Sequence, residues 1–271
     1  MARLQVQGLD TTILPRDMVA HYAASGWLPL SEGDEGLIDL VAQGAQEGRA
    51  EVLPDRTEYR VLSSQDNRFE LWLFAAFGQV RGAVPFIRGN VTWRVVVDAL
   101  LPRITGGMGA IQIHRVDEPE LTICVELPDY GRVAENDLGT ELVSAVTGLA
   151  YLCRTVPETE ERYCIQRFYP YGMLNDTAVS AGEGSRCDVL ACGRVTRVDP
   201  QRNDLTGLEV FLIDLDINGM TMSVAAAPEM LEGGKPEVGR LFEGVFWMVG
   251  RFDRKQEGTP LSRMLNRFSS L

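Results

Sequence analysis

The sequence predicts an α+β protein: an N-terminal domain of antiparallel β-sheet with helices, joined to a small OB-like β-barrel C-terminal domain. Three observations lead there. From Thr57 to Leu127 the chain is a series of runs rich in branched and aromatic residues, "TEYRVLS", "FELWLFAAF", "VRGAVPFIRG", "VTWRVVVDAL", "AIQIHRV" and "ELTICVEL", with Gly, Pro and Asn in the separators. A hairpin turn stands at Asn218-Gly219. Around it, the order strand, strand, strand, short helical turn, then one or two strands is that of a five-stranded OB-type barrel, the hairpin joining the second strand to the third.

Element by element, a short strand "RLQVQ" precedes "LPRDMVAHYAASGW", where Pro15 suits a first helical turn, Met18, Val19 and Tyr22 share a face, and Gly26 suits the C-terminal cap. A second helix is expected from Asp34 to Glu47, with Leu37, Ile38, Val41 and Ala45 as its buried stripe and Gly48 at its end. The strand runs follow. "TGGMG" at Thr105–Gly109 lacks the Lys and Ser/Thr of a phosphate loop and reads as a turn. Between Glu141 and Cys153 the apolar residues Leu142, Val143, Val146, Leu149, Ala150 and Cys153 fall at helical spacing, which predicts a third helix packed on the sheet. The charged stretch "TVPETEERY" marks a boundary, giving an acidic domain over residues 1–158 and a barrel domain over 159–257.

"DLDING", Asp214–Gly219, also matches the first half of a calcium loop. An EF-hand loop needs a bidentate Glu at its twelfth position, which here is Ala225, and helical flanks, where "LEVFLI" and "MTMSV" are strand-like. A type I′ turn at Asn218-Gly219 makes a stricter statement, since it sets the register of every following pair. Ile217 then faces Met220, Leu215 faces Met222 and Ile213 faces Val224, while Asp216 faces Thr221 and Asp214 faces Ser223. All pairs sort into apolar and polar, so the hairpin is preferred.

Beyond it, "GRLFEGVFWMVGRF" supplies the last one or two strands, with Gly239, Gly244 and Gly250 where barrel strands bend. Residues 258–271 carry Thr259 and Pro260 as a helix start and the stripe Leu261, Met264, Leu265 and Phe268 opposite Arg263 and Arg267. That basic amphipathic helix suits either a partner or the acidic N-terminal part of its own chain.

Composition narrows the function. The net charge is −12. Residues 185–257 hold 9 basic and 12 acidic groups and 258–271 add +2, so residues 1–184 carry −11. Nucleic-acid binding rests on cations replacing counterions, so this balance disfavours it. Two histidines, far apart, weaken any histidine-based zinc site or catalytic triad, and five cysteines without CxxC spacing read as buried apolar residues. No signal peptide and no long apolar run is present, so a cytoplasmic protein is expected.

The candidate binding residues are Arg167, Tyr169 and Tyr171 of "RFYPYG", which either line a cleft between the domains or pack their junction. On the barrel, Arg194, Arg197, Arg202 and Arg240 with Phe242, Phe246 and Trp247 would form a nucleic-acid face; otherwise the rings fill the core and the arginines are solvated. The carboxylates Asp117/Glu118 and Glu158, Glu160, Glu161 have no oriented base or nucleophile beside them.

The spacing of "FYPYGM", "NDLTG" and "GGKPEVGRLFEGVFWMVGR", over roughly residues 165–252, resembles the C-terminal signature of a functionally uncharacterised family of clostridial proteins. The resemblance implies a bacterial cytosolic protein and a shared domain, and no functional residue. The reading is therefore a non-enzymatic cytosolic binding or interaction protein, with no cofactor and an unknown protein or small-molecule partner; single-stranded nucleic-acid binding through the barrel and an unfamiliar hydrolase are the alternatives.

Overall fold

The computed structural model describes residues 18–52, 58–76, 79–102, 109–133, 137–170 and 187–252. Pro15, "RLQVQ", Tyr171, most of "TGGMG" and the segment 258–271 with Leu261, Met264, Leu265 and Phe268 lie outside them.

Helix α1 (Met18–Ala24) buries Val19 and Tyr22, and Gly26 just past its end has φ +71°, as a left-handed cap requires. Helix α2 (Gly33–Glu47) buries Leu37, Leu40, Val41 and Ala45. Ile38, expected on the buried stripe, is 36% exposed and Leu40 is buried instead, so the covered face runs through 37, 40, 41 and 45 at i, i+3, i+4 and i+8 spacing.

Four strands, β1 (Arg49–Val52), β2 (Glu58–Ser63), β3 (Phe69–Ala76) and β4 (Gln79–Ile87), form an antiparallel sheet in sequence order. A second sheet of ten strands takes the rest. It begins with β5 (Thr92–Pro102), β6 (Gly109–Arg115), β7 (Glu118–Leu127) and β8 (Glu141–Thr155).

β8 corrects the expected helix at Glu141–Cys153. Ser144 to Ala150 are buried without a break: one later strand pairs along one edge, and β5 up to Ala145 and then another, parallel strand along the other. A strand buried on both faces loses the period-2 signal, and its apolar positions then coincide with helical spacing by accident.

After helix α3 (Glu158–Glu161) come β9 (Arg167–Pro170), β10 (Asp188–Arg202), β11 (Glu209–Ile217), β12 (Met220–Ala226), the two-residue β13 (Leu231–Glu232) and β14 (Leu241–Phe252). The hairpin of β11 and β12 has the expected register, Ile217↔Met220 through Ile213↔Val224, with Asn218 at φ 54° and Gly219 at φ 94° in the turn.

The OB-like barrel expected from residues 159–257 alone is not what these residues build. They supply four long strands, since "GRLFEGVFWMVGRF" is one strand, and β8 completes the pairing: β8 with β14, β14 with β10, β10 with β11, β11 with β12, and β12 in parallel with β8. The pairings return on themselves. A single sheet therefore crosses from residues before the "TVPETEERY" stretch to residues after it.

Phe242 and Phe246, weighed as stacking platforms, are fully buried inside this ring beside Cys153 and Ala191. Gly148 of β8 lets the strand approach β14, because a Cβ there would stand 2.9 Å from the Phe246 Cβ.

Candidate functional site

Directly opposed residues of antiparallel strands share a face. The registers of β8, β14, β10 and β9 therefore place rows of side chains across the outside of the ring. One row is Leu152, Val245, Leu190 and Tyr169; the next is Arg154, Glu243, Cys192 and Arg167. Toward the other end, Trp247 opposes Asp188.

The first row is apolar and open to solvent. Leu152 is 68% and Tyr169 44% exposed, with Val245 and Leu190 half-buried between them. Tyr163 and Ile165, in the turn leading into β9, are 72% and 73% exposed. Single exposed apolar residues need no explanation; here four apolar and aromatic residues lie side by side across four strands.

The second row is an ionic border. The Glu243 carboxylate accepts from Arg154 Nε at 2.8 Å and from Arg167 Nη2 at 3.1 Å, and Arg154 also meets Glu160 of α3 at 3.1 Å. The hydrogen bond to Glu243 raises the Arg154 pKa above its ordinary value. Next to it, Arg240 binds Glu161 at 2.7 Å, which holds that carboxyl below the usual range. At the far side Trp247 donates from Nε1 to Glu126 at 2.7 Å, and His21 of α1 lies 5.0 Å from its ring and 4.3 Å from Tyr151.

Of the residues singled out in the sequence, Arg167, Tyr169, Arg194 and Trp247 stand on this one face, Arg194 two residues along β10 from Cys192. Arg194 donates to the Gly239 carbonyl. Arg197 pairs with Asp199 and Arg202 with the Gly207 carbonyl, so the arginines do not form one basic groove. Leu152, Leu190 and Val245 were not singled out. Leu152 was hidden by the helical reading of its segment; the alternation in "DVLACGR" and "FEGVFW" was the available signal for the other two.

The face has little to offer as a catalyst. Glu243 is locked between two guanidinium groups, and burial pushes the fully covered Cys192 thiol up to about 11 and the buried Cys153 thiol up to about 12. Both thiols stay protonated in the folded chain while the unfolded chain ionises near its ordinary 9.0. Folded values above unfolded ones mean stability that is complete below pH 9 and lost as pH climbs toward 12. Thermal melts in that window are expected to fall, and maleimide at pH 8 should label Cys124 and Cys164, both part-exposed, well before Cys153 and Cys192. Rapid labelling of Cys192 in the folded protein would contradict this.

Two other places were weighed against it. Thr92, Trp93, Arg94, Arg115, Val116 and Asp117 line an open hollow of about 220 Å³, but Arg94 is held by Glu141 at 2.6 Å and Arg115 by Asp117 at 2.9 Å. Around the hairpin the "DLDING" oxygens serve the fold: Asp214 accepts from Ser223 at 2.7 Å and Asp216 from the Gly219 N–H at 2.9 Å.

Among the described residues no helix is long and apolar enough to cross a membrane. No curated protein and no solved structure matches the chain. Residues 166–250, which span β9 to β14 and so contribute three of the four strands of the face, match the family model described as a domain of unknown function from E. rectale (DUF3881), a clostridial family as the "FYPYGM" to "FWMVGR" signature implies.

Proposed function

We propose that the chain is a non-enzymatic, cytoplasmic binding protein that docks a partner protein on the face formed by β8, β14, β10 and β9. The observation that carries this is the row Leu152, Val245, Leu190 and Tyr169, exposed at its two ends and half-buried between them, edged by paired charges. Apolar contacts inside a polar rim are the general anatomy of a protein interface. The ring of pairings from β8 to β12 supports reading this part as a small closed barrel, which gives the face a rigid base. The stripe Leu261, Met264, Leu265 and Phe268 is a second contact, complementary in charge to the acidic residues 1–184.

The test is affinity purification of the tagged chain from its own cells beside the Leu152→Glu and Tyr169→Glu variants. Both positions are exposed, so stability should change by less than about 0.5 kcal/mol. A stoichiometric protein that accompanies the wild-type chain and is absent from both variants is the expected result. A retained small molecule or nucleic acid without a protein partner would overturn the proposal.

A further inference from the structure

We propose that Cys164 and Cys192 are a redox pair, which closes into a reversible disulfide when hydrogen peroxide oxidises Cys164.

The five thiols divide by where they sit. Cys153 and Cys187 belong to the hydrophobic core and Cys124 packs against it, whereas Cys164 and Cys192 do neither. On β10 the side chains of Val189, Ala191 and Val195 enter the core, so Cys192, one residue out of step, stands on the outer face with its opposed residues Glu243 and Arg167. An outward side chain is ordinarily wet. Cys192 is nevertheless fully covered.

Its cover is the segment between α3 and β9. At one end Glu161 accepts from Arg240 Nε at 2.7 Å and from the Leu241 N–H at 3.4 Å, where β14 begins. At the other end Gln166 accepts from the Asn218 N–H at 2.8 Å, in the turn of the β11–β12 hairpin. Leu241 opposes Arg194 on one edge of β10, and Arg167 opposes Cys192 on the other, so the residues between Glu161 and Arg167 cross the outer side of β10 at Cys192. Along this crossing Tyr163 and Ile165 are 72% and 73% exposed while Cys164 is part-covered, so Cys164 turns the other way, toward the sheet. Burial, then Glu243, then Cys164 hold the Cys192 thiol up at about 11, with Arg167 and Arg154 pulling against them. Only a near neighbour acts on a thiol in this way.

The chemistry divides between the two. Part-exposed Cys164 meets the oxidant, whereas burial keeps Cys192 protonated and out of its reach. The Cys164 thiolate attacks one peroxide oxygen, the O–O bond breaks and hydroxide leaves, which gives a sulfenic acid. The Cys192 sulfur then attacks the Cys164 sulfur, the S–O bond breaks, and the oxygen departs as water with the Cys192 proton. Two thiols lose two electrons and the peroxide becomes two waters. A dithiol reductant reverses the bond. In a reducing compartment such disulfides are transient and serve redox sensing. Here the bond would fasten the crossing segment, with Tyr163 and Ile165, onto β10.

The experiment treats the full reduced chain with an equivalent of hydrogen peroxide near neutral pH and maps its peptides without reduction. The expected product joins the Cys164 and Cys192 peptides within one chain, lighter by two hydrogens, and dithiothreitol restores both thiols. Cys192→Ala should instead leave Cys164 as a sulfenic acid, captured by dimedone in several-fold larger amount than in the wild type. That variant empties a covered position, so the wild-type map carries the decision. Cys164 taken on to sulfinic acid, or joined to a second chain, with Cys192 still a free thiol, would overturn the pair. So would a bridge from Cys192 to any other cysteine, or a Cys164 left unoxidised by peroxide that oxidises free glutathione.

Discussion

Arg251→Met is expected to lower the stability of the chain by about 3–5 kcal/mol, because it strips a cation from a buried charge network and takes from Glu70 its guanidinium partner, while Asp129 keeps Arg132 at 3.6 Å. Arg251, near the end of β14, binds both oxygens of Glu70 on β3 and lies 3.5 Å from Asp129. The side chains of Glu70 and Asp129 are only 5% and 6% exposed. Trp72 donates from Nε1 to Glu70 at 2.7 Å, and the guanidinium groups of Arg251 and Arg132 lie 5.0 and 5.7 Å from its ring. This network is the polar junction between the four-stranded and the ten-stranded sheets, so its loss acts on both. Urea denaturation measures it. The double variant Glu70→Gln/Arg251→Met should recover a large part of the loss, since removing both charges restores neutrality. A single variant within about 1 kcal/mol of wild type would mean that water already reaches the network.

That junction was not legible in the sequence, and the reason is physical. Glu70 and Arg251 are 181 positions apart, and a lone Glu in "FELWLF" reads as an outward-facing strand residue. Local elements fared better wherever one face is wet. The hairpin was readable to the register because the Asn-Gly turn and the period-2 pattern constrain the same pairs. β8 was not, since packing on both faces erased its period and left a helical coincidence. The same misreading hid how the C-terminal strands close: the fifth strand of their ring comes from before the charged stretch, and only long-range pairing reveals it. For the face, the polar-aromatic residues Arg167, Tyr169, Arg194 and Trp247 drew attention as chemistry, while the rest of the apolar row beside Tyr169 is ordinary leucine and valine that only its position in the sheet distinguishes.

Ser223→Ala should cost on the order of 3 kcal/mol, although it removes one oxygen from a hairpin face that the sequence marks as polar. The two polar pairs of that face have different fates. Asp216 and Thr221 remain part-exposed near the turn, whereas Asp214 is 6% and Ser223 0% exposed, because the link between β4 and β5 lies over them. Ser223 Oγ donates to Asp214 at 2.7 Å and accepts the backbone N–H groups of Asn90 and Val91, each at 3.0 Å. Alanine would leave a buried carboxylate short of a donor and two backbone donors without their acceptor, each a cost of about 1–3 kcal/mol before relaxation. Threonine should not rescue it, since the backbone at Gly89 already crowds the Ser223 Cβ; a Cβ at residue 89 would stand 2.5 Å away. Thr221→Ala, one pair nearer the turn, is the control and should change stability by less than about 0.5 kcal/mol. Equal losses at 221 and 223 in thermal and chemical melts would show that the hairpin's polar face works as a unit, and that the β4–β5 link contributes nothing to holding it.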